Sequence, residues 1–117
     1  MVERGVKSNM AYKAVHRFAR ISARKVRPIA DLIRGKGTDD ALNVLRYQPH
    51  RGARMLEKVL RSALANAEDL RAPNLHHLRV IDVQVDQGPM MKRMRPHARG
   101  MASVILKRMS HIRIALE

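Results

Sequence analysis

Two runs of strict apolar alternation, Ile81, Val83, Val85 and Ile112, Ile114, Leu116, flank a stretch with no Asp or Glu between Gln87 and Leu116. Each run has the two-residue period of a half-buried strand. Placed at the two ends of the segment from Leu78 to Leu116, they predict one long β-hairpin. Gly88 and Pro89 open its centre, Pro96 interrupts it and Gly100 closes it, so residues 88–100 are expected as a tip of 13 residues between arms that average 13. An arm of that length spans roughly 43 Å, whereas a compact domain of this size is roughly 35 Å across. The hairpin must therefore project. A ribbon holding Lys92, Arg93, Arg95, Arg99, Lys107 and Arg108 with no acid cannot bury those charges in its own core, and it calls for an anionic partner.

The chain has 117 residues and a formal net charge of +14, unevenly distributed. Residues 1–38 hold ten Lys/Arg against two acids, residues 39–86 seven of each, and residues 87–117 seven against Glu117 alone. A neutral middle between two basic ends predicts a packed body with two binding surfaces; a charged face that serves solubility alone mixes both signs. Fields of this size concentrate polyanions, which puts nucleic acid first among partners. Only Tyr12, Phe18 and Tyr47 are aromatic, too few for a platform that stacks single-stranded bases. The absence of Cys excludes disulfides, Cys-based zinc sites and a cysteine nucleophile. No apolar run approaches the ~20 residues of a membrane span, and residues 1–10 lack the apolar core of a secretory signal.

In the middle, Leu56, Val59, Leu60, Ala63, Leu64 and Ala67 recur at spacings of three and four and predict an amphipathic helix from about Arg51 to Leu70. Glu57 and Arg61 are spaced for an i,i+4 pair. Val26, Ile29, Ala30 and Ile33 predict a second helix, about Ala23 to Arg34, capped by Ser22 and ended by Gly35; Pro28 within it is expected to kink it or delay its start. Thr38, Asp39 and Asp40 predict a hydroxyl cap and a charged first turn for a short helix over Asp39–Arg46, burying Ala41, Leu42 and Leu45. Tyr12, Val15, Phe18 and Ile21 read as a strand within Ala11–Ile21. The expected fold is one α+β domain: a basic tail over residues 1–10, a body over residues 11–87 with three helices packed on a short antiparallel sheet, and the long protruding β-hairpin.

Ser110 beside His111 invites a nucleophile reading, but neighbours on a strand point to opposite faces. His76, His77, His97 and His111 lack the spacing and the carboxylate that would complete a zinc set, and Gly35-Lys36-Gly37-Thr38 lacks the glycine spacing of a phosphate loop. No catalytic residue, metal or cofactor is expected. Met90, Met91, Met94, Met101 and Met109 are a dense run of adaptable thioethers. The candidate RNA-binding residues are Lys13, Arg17, Arg20, Arg24, Lys25, Arg27, Lys36, Lys92, Arg93, Arg95, Arg99, Lys107, Arg108 and His111. About eight to ten phosphate contacts give a log–log salt slope of roughly −6 to −9, and recognition by RNA shape rather than base stacking. A basic architectural protein for DNA or chromatin is the alternative, and it would bind duplex DNA at least as tightly as structured RNA.

Seven motifs in order, Ser22-Ala-Arg-Lys-Val-Arg27, Ala30-Asp-Leu-Ile-Arg-Gly-Lys36, Ser62-Ala-Leu-Ala-Asn-Ala67, Val85-Asp-Gln-Gly-Pro89, Met91-Lys-Arg93, Arg95-Pro-His-Ala-Arg-Gly100 and Lys107-Arg-Met-Ser-His-Ile112, resemble the bacterial family of large-subunit ribosomal protein twenty-two. The resemblance runs from about Ala11 to Leu116. It implies a structural, non-enzymatic ribosomal protein that binds large-subunit ribosomal RNA early in assembly, in the cytoplasm of a bacterium or in an organelle. It also implies a body near the polypeptide exit and a hairpin reaching inward, so that Met90, Met91, Lys92, Arg93 and Met94 line the exit tunnel. The implied partners are ribosomal RNA, neighbouring large-subunit proteins and the nascent polypeptide, with no membrane and no small-molecule substrate. Met109, Met101 and His97 depart from the family, which commonly has Thr, a basic residue and a basic residue at those positions.

Overall fold

The computed structural model describes residues 12–73, 75–96 and 98–117. The expected basic tail over residues 1–10 and the histidine at position 97 lie outside the described residues. The order of elements is β1 (Tyr12–Ala19), α1 (Ala23–Ile33), α2 (Thr38–Tyr47), α3 (Arg51–Asp69), β2 (Val80–Pro96) and β3 (Ala102–Leu116), with short 3-10 turns at Leu75–His77 and Ala98–Gly100. The strands form one antiparallel sheet in the order β1-β3-β2. The three helices cover one face of it, as the sequence predicts.

The apolar stripes meet there. Val26, Ile29 and Ile33 of α1, Ala41 and Leu45 of α2, and Leu56, Leu60 and Ala63 of α3 pack on Val80, Val83, Ile112, Ile114 and Leu116 of the sheet. Full burial of each Leu or Ile side chain contributes about 1.5–3 kcal/mol. Long arginines tie the layers together at their edges. Arg27 donates from Nε and Nη2 to the Val85 carbonyl at 3.2 and 3.1 Å, and Arg34 donates to the Val83 carbonyl at 2.6 Å, clamping α1 to the edge strand β2. Arg54 of α3 donates to the carbonyls of Leu45, Arg46 and Gln48, supplying donors at the C-terminus of α2, where helical partners run out, and sharing the Leu45 carbonyl with the Gln48 N–H. The expected Glu57–Arg61 pair forms at 3.3 Å.

Several local expectations change. Helix α1 runs through Pro28, and Pro28 and Arg24 lie on its exposed face, so the ring is accommodated outside the core. Ser22 occupies the N-cap position of α1 without a side-chain cap bond. Thr38 is the first buried residue of α2 rather than its cap, which is Gly37. Gly35 does adopt the left-handed conformation, with φ 85°.

Bulges shift which side chains face the core. In β1 the pairing passes from His16↔Ile112 to Ala19↔Ser110, with Phe18 at φ 58°, so Ala14 and Ala19 are buried while Val15 and Phe18 are exposed. In β2 a residue is inserted between Val80↔Leu116 and Asp82↔Ala115, which turns Ile81 outward and Val80 inward.

The expected 13-residue tip is mostly paired strand. Pairing continues from Gln87↔Ser110 across a bulge at Gly88 and Pro89 to Met90↔Arg108, and on to Pro96↔Ala102. A bulge leaves a residue unpaired, so Pro89, which has no N–H, is accommodated there. A Cβ on Gly88 would lie 3.3 Å from His111 Nε2 and from the Met109 carbonyl, so this close crossing favours glycine. The chain reverses only beyond Pro96, with Arg99 and Gly100 at φ 63° and 71°. The molecule extends 65 × 35 × 22 Å with a radius of gyration of 17.6 Å, against about 13 Å for a compact chain of this length. The hairpin projects, and it is stiffer than an open loop.

Candidate nucleic-acid interface

Where the hairpin leaves the body, a groove of about 1000 Å³ runs between β3 and the start of two helices, lined by Arg20, Ile21, Ser22, Arg24, Lys25, His50, Arg51, Gly52, Leu106, Lys107 and Arg108. Among the described residues, no carboxylate lines it. Two of its walls are the N-termini of α1 and α3, whose N-cap residues, Ser22 and His50, make no side-chain cap bond and whose first turns hold no acid. The first N–H groups of a helix have no intrahelical partner and sit at the positive end of its dipole. Helix α2, outside the groove, has Asp39 and Asp40 in its first turn. The groove thus combines fixed guanidinium and ammonium charge with two positive helix ends, an arrangement that accepts phosphate oxygens.

The fold brings together Arg20, Arg24, Lys25, Lys107 and Arg108 from the sequence-predicted set, although more than 80 positions separate the two groups. It adds His50 and Arg51. Their signal, a basic residue at the N-cap and another at the first position of a helix with no acid in its first turn, is present in the sequence. Among the described residues the ion pairs engage Arg34, Arg54 and Arg61, none of which lines the groove.

Other candidates stand elsewhere. Lys92, Arg93, Arg95 and Arg99 are exposed on the distal hairpin. Lys36 is exposed in the α1–α2 connection, and Lys13 is exposed on β1, where its carbonyl accepts from Asn66 Nδ2 at 2.8 Å. Arg17 borders a separate hollow of about 200 Å³ with His16, Lys58 and Ser62. Two candidates have work inside the fold. Arg27 is bonded to Val85, as above. His111 Nδ1 accepts the Phe18 N–H at 3.0 Å, and its ring meets Phe18 edge to face with centroids 5.0 Å apart, so the neutral ring carries its proton on Nε2.

Ser110 is fully buried, with a hydroxyl that has no hydrogen-bond partner, and it faces away from His111. No substrate reaches it. Among the described residues no three His, Asp or Glu side chains are grouped to hold a metal ion.

A family model described as Ribosomal protein L22p/L17e matches residues 14–117. The chain belongs to this family. Its relatives include the large ribosomal subunit protein uL22 of Rhodopirellula baltica, 56% identical over 110 residues that cover 90% of this chain and 92% of the relative. The uL22 protein of Caldicellulosiruptor saccharolyticus is 46% identical, covering 99% and 98% of the two chains. That of Syntrophobacter fumaroxidans is 47% identical, covering 92% and 97%. The matched region takes in the whole described hairpin and every groove residue.

Proposed function

We propose that this chain is a structural constituent of the large ribosomal subunit that binds its ribosomal RNA at two surfaces, the basic groove and the distal hairpin. By holding RNA segments on both, it restricts the folding RNA and supports early assembly of the subunit. The body sits near the polypeptide exit, among neighbouring large-subunit proteins, and the hairpin reaches inward. Met90, Met91, Lys92, Arg93 and Met94 then line the exit tunnel beside the nascent polypeptide. Family membership supports the ribosomal setting, and the length of the hairpin supports the inward reach. The observation that carries RNA binding is the groove, with its cationic side chains, two acid-free helix N-termini and no carboxylate among the described residues that line it.

The test is a competition titration of the full chain against large-subunit ribosomal RNA, unrelated structured RNA and duplex DNA at several salt concentrations. The expected result is a preference for ribosomal RNA over the two competitors that persists as salt rises, while its affinity falls with a log–log slope of roughly −6 to −9. Equal binding to all three, collapsing together with salt, would overturn the reading and leave a general polycation.

A further inference from the structure

The three-stranded sheet narrows to a two-stranded ribbon where two bulges meet on either side of β3. In β1, Arg17 and Phe18 together oppose His111, between the pairs His16↔Ile112 and Ala19↔Ser110. In β2, Gly88 and Pro89 together oppose Met109, between Gln87↔Ser110 and Met90↔Arg108. Strand β1 ends at Ala19, and from Met90 to Pro96 strand β2 pairs with β3 alone. A bulge bends its strand and raises the local twist, so these two set the direction in which the ribbon leaves the body.

His111 lies between the bulges and touches both. Its Nδ1 accepts the Phe18 N–H at 3.0 Å, and its ring meets the Phe18 ring edge to face. On the other side, Nε2 occupies the space beside Gly88, where a Cβ would lie 3.3 Å from it. Phe18 has φ 58°, a conformation that a residue other than glycine keeps only where its surroundings fix it. Here the bond to His111 fixes it.

From this arrangement we infer that His111 is a positioning residue: its imidazole couples the two bulges and thereby fixes the angle between the body and the ribbon. The inference goes beyond the proposed function, in which the ribbon must arrive at one place, and rests on that reading only for what the ribbon meets there. Small changes at the root are large at the far end. At about 3.3 Å per residue, Met90–Pro96 spans about 23 Å, so a turn of about 20°, the ordinary twist between neighbouring strands, carries its end about 8 Å away. Removing the imidazole leaves the Phe18 N–H without its acceptor and opens a gap beside Gly88. Each bulge then relaxes independently of the other.

The test uses the full chain, which has no Cys, with spin labels at Asn43→Cys on α2 and Met101→Cys beside the hairpin turn. Both positions are exposed. Pulsed electron paramagnetic resonance then reads the distance from body to ribbon. With His111 in place, one narrow distance distribution is expected. His111→Ala is expected to broaden it at least about twofold as the twist of the ribbon varies, while a second label pair within the body, Asn43→Cys with Lys58→Cys, keeps its distance. A loss of stability without a change of direction would not produce that split. Gly88→Ala, which sets a methyl against His111 Nε2 and the Met109 carbonyl, is expected to move the mean distance, and it decides the matter alone if His111→Ala does not fold. An unchanged body-to-ribbon distribution in the variant that folds would overturn the inference, and so would a distribution already as broad with His111 present. RNA affinity enters none of these outcomes, so failure of the RNA-binding reading is seen separately, in the competition titration.

Discussion

Ser110 and Phe18 both depart from what their immediate neighbours dictate. Ser110 belongs to the inward series of β3 with Ile112, Ile114 and Leu116, and it brings a hydroxyl with no hydrogen-bond partner into the core. A buried unsatisfied polar group costs about 1–3 kcal/mol. Ser110→Ala is therefore expected to raise stability by about 1 kcal/mol, read as a higher urea midpoint with an unchanged slope. A lower midpoint would mean that the hydroxyl has a partner, such as a buried water. Phe18 was legible as a strand residue but not as an outward one. Its left-handed backbone closes the β1 bulge, and its N–H bonds to a histidine 93 positions away. A two-residue period holds only while the ladder is regular, so bulges at Phe18 and Ile81 were invisible to it.

Among the elements, the helices were legible because their stripes are long and their ends are marked by Pro49, Pro73 and Gly35. What remained hidden was the task of individual cations. Arg24 and Arg27 lie in one basic run, and nothing in the run tells them apart. In the fold Arg24 lines the groove and Arg27 is bonded to the edge strand. Arg27→Ala is expected to destabilise the protein by about 1–2 kcal/mol through loss of the charged donor at Val85, with the salt slope of RNA binding unchanged. Arg24→Ala is expected to leave stability within about 0.5 kcal/mol and to make that slope shallower by about 1. Denaturant melts and salt titrations on both variants check the pair; a matching effect of the two on both measurements would contradict the division of roles. Gly88 and Pro89 show the same limit in the hairpin. They read as the start of a tip, but a bulge absorbs them and the ladder continues to Pro96↔Ala102.

At the scale of the whole molecule, the projecting ribbon followed from length and charge alone, since a hairpin longer than the body, with no acid between Gln87 and Leu116, has nowhere inside to go. The groove did not follow, because it is assembled from the β1–α1 junction, the start of α3 and β3. Its cations were recognisable singly, whereas their meeting at two helix N-termini is a product of the topology. The body with its groove and the distal ribbon are set along a 65 Å axis, a separation that under the proposed RNA binding would let one chain bridge RNA segments far apart.

In the proposed function the ribbon reaches into the RNA of the large subunit while the body stays at its surface. The chain has no Cys, so one introduced thiol can carry a tethered iron chelate that cleaves nearby RNA by hydroxyl radicals. The deciding measurement compares Met101→Cys, beside the hairpin turn, with Lys58→Cys on α3 after assembly into the large subunit. Cleavage of interior ribosomal RNA from position 101, at nucleotides distinct from those cut from position 58, is the expected result. The same surface nucleotides cut from both positions, or no cutting from position 101, would contradict it.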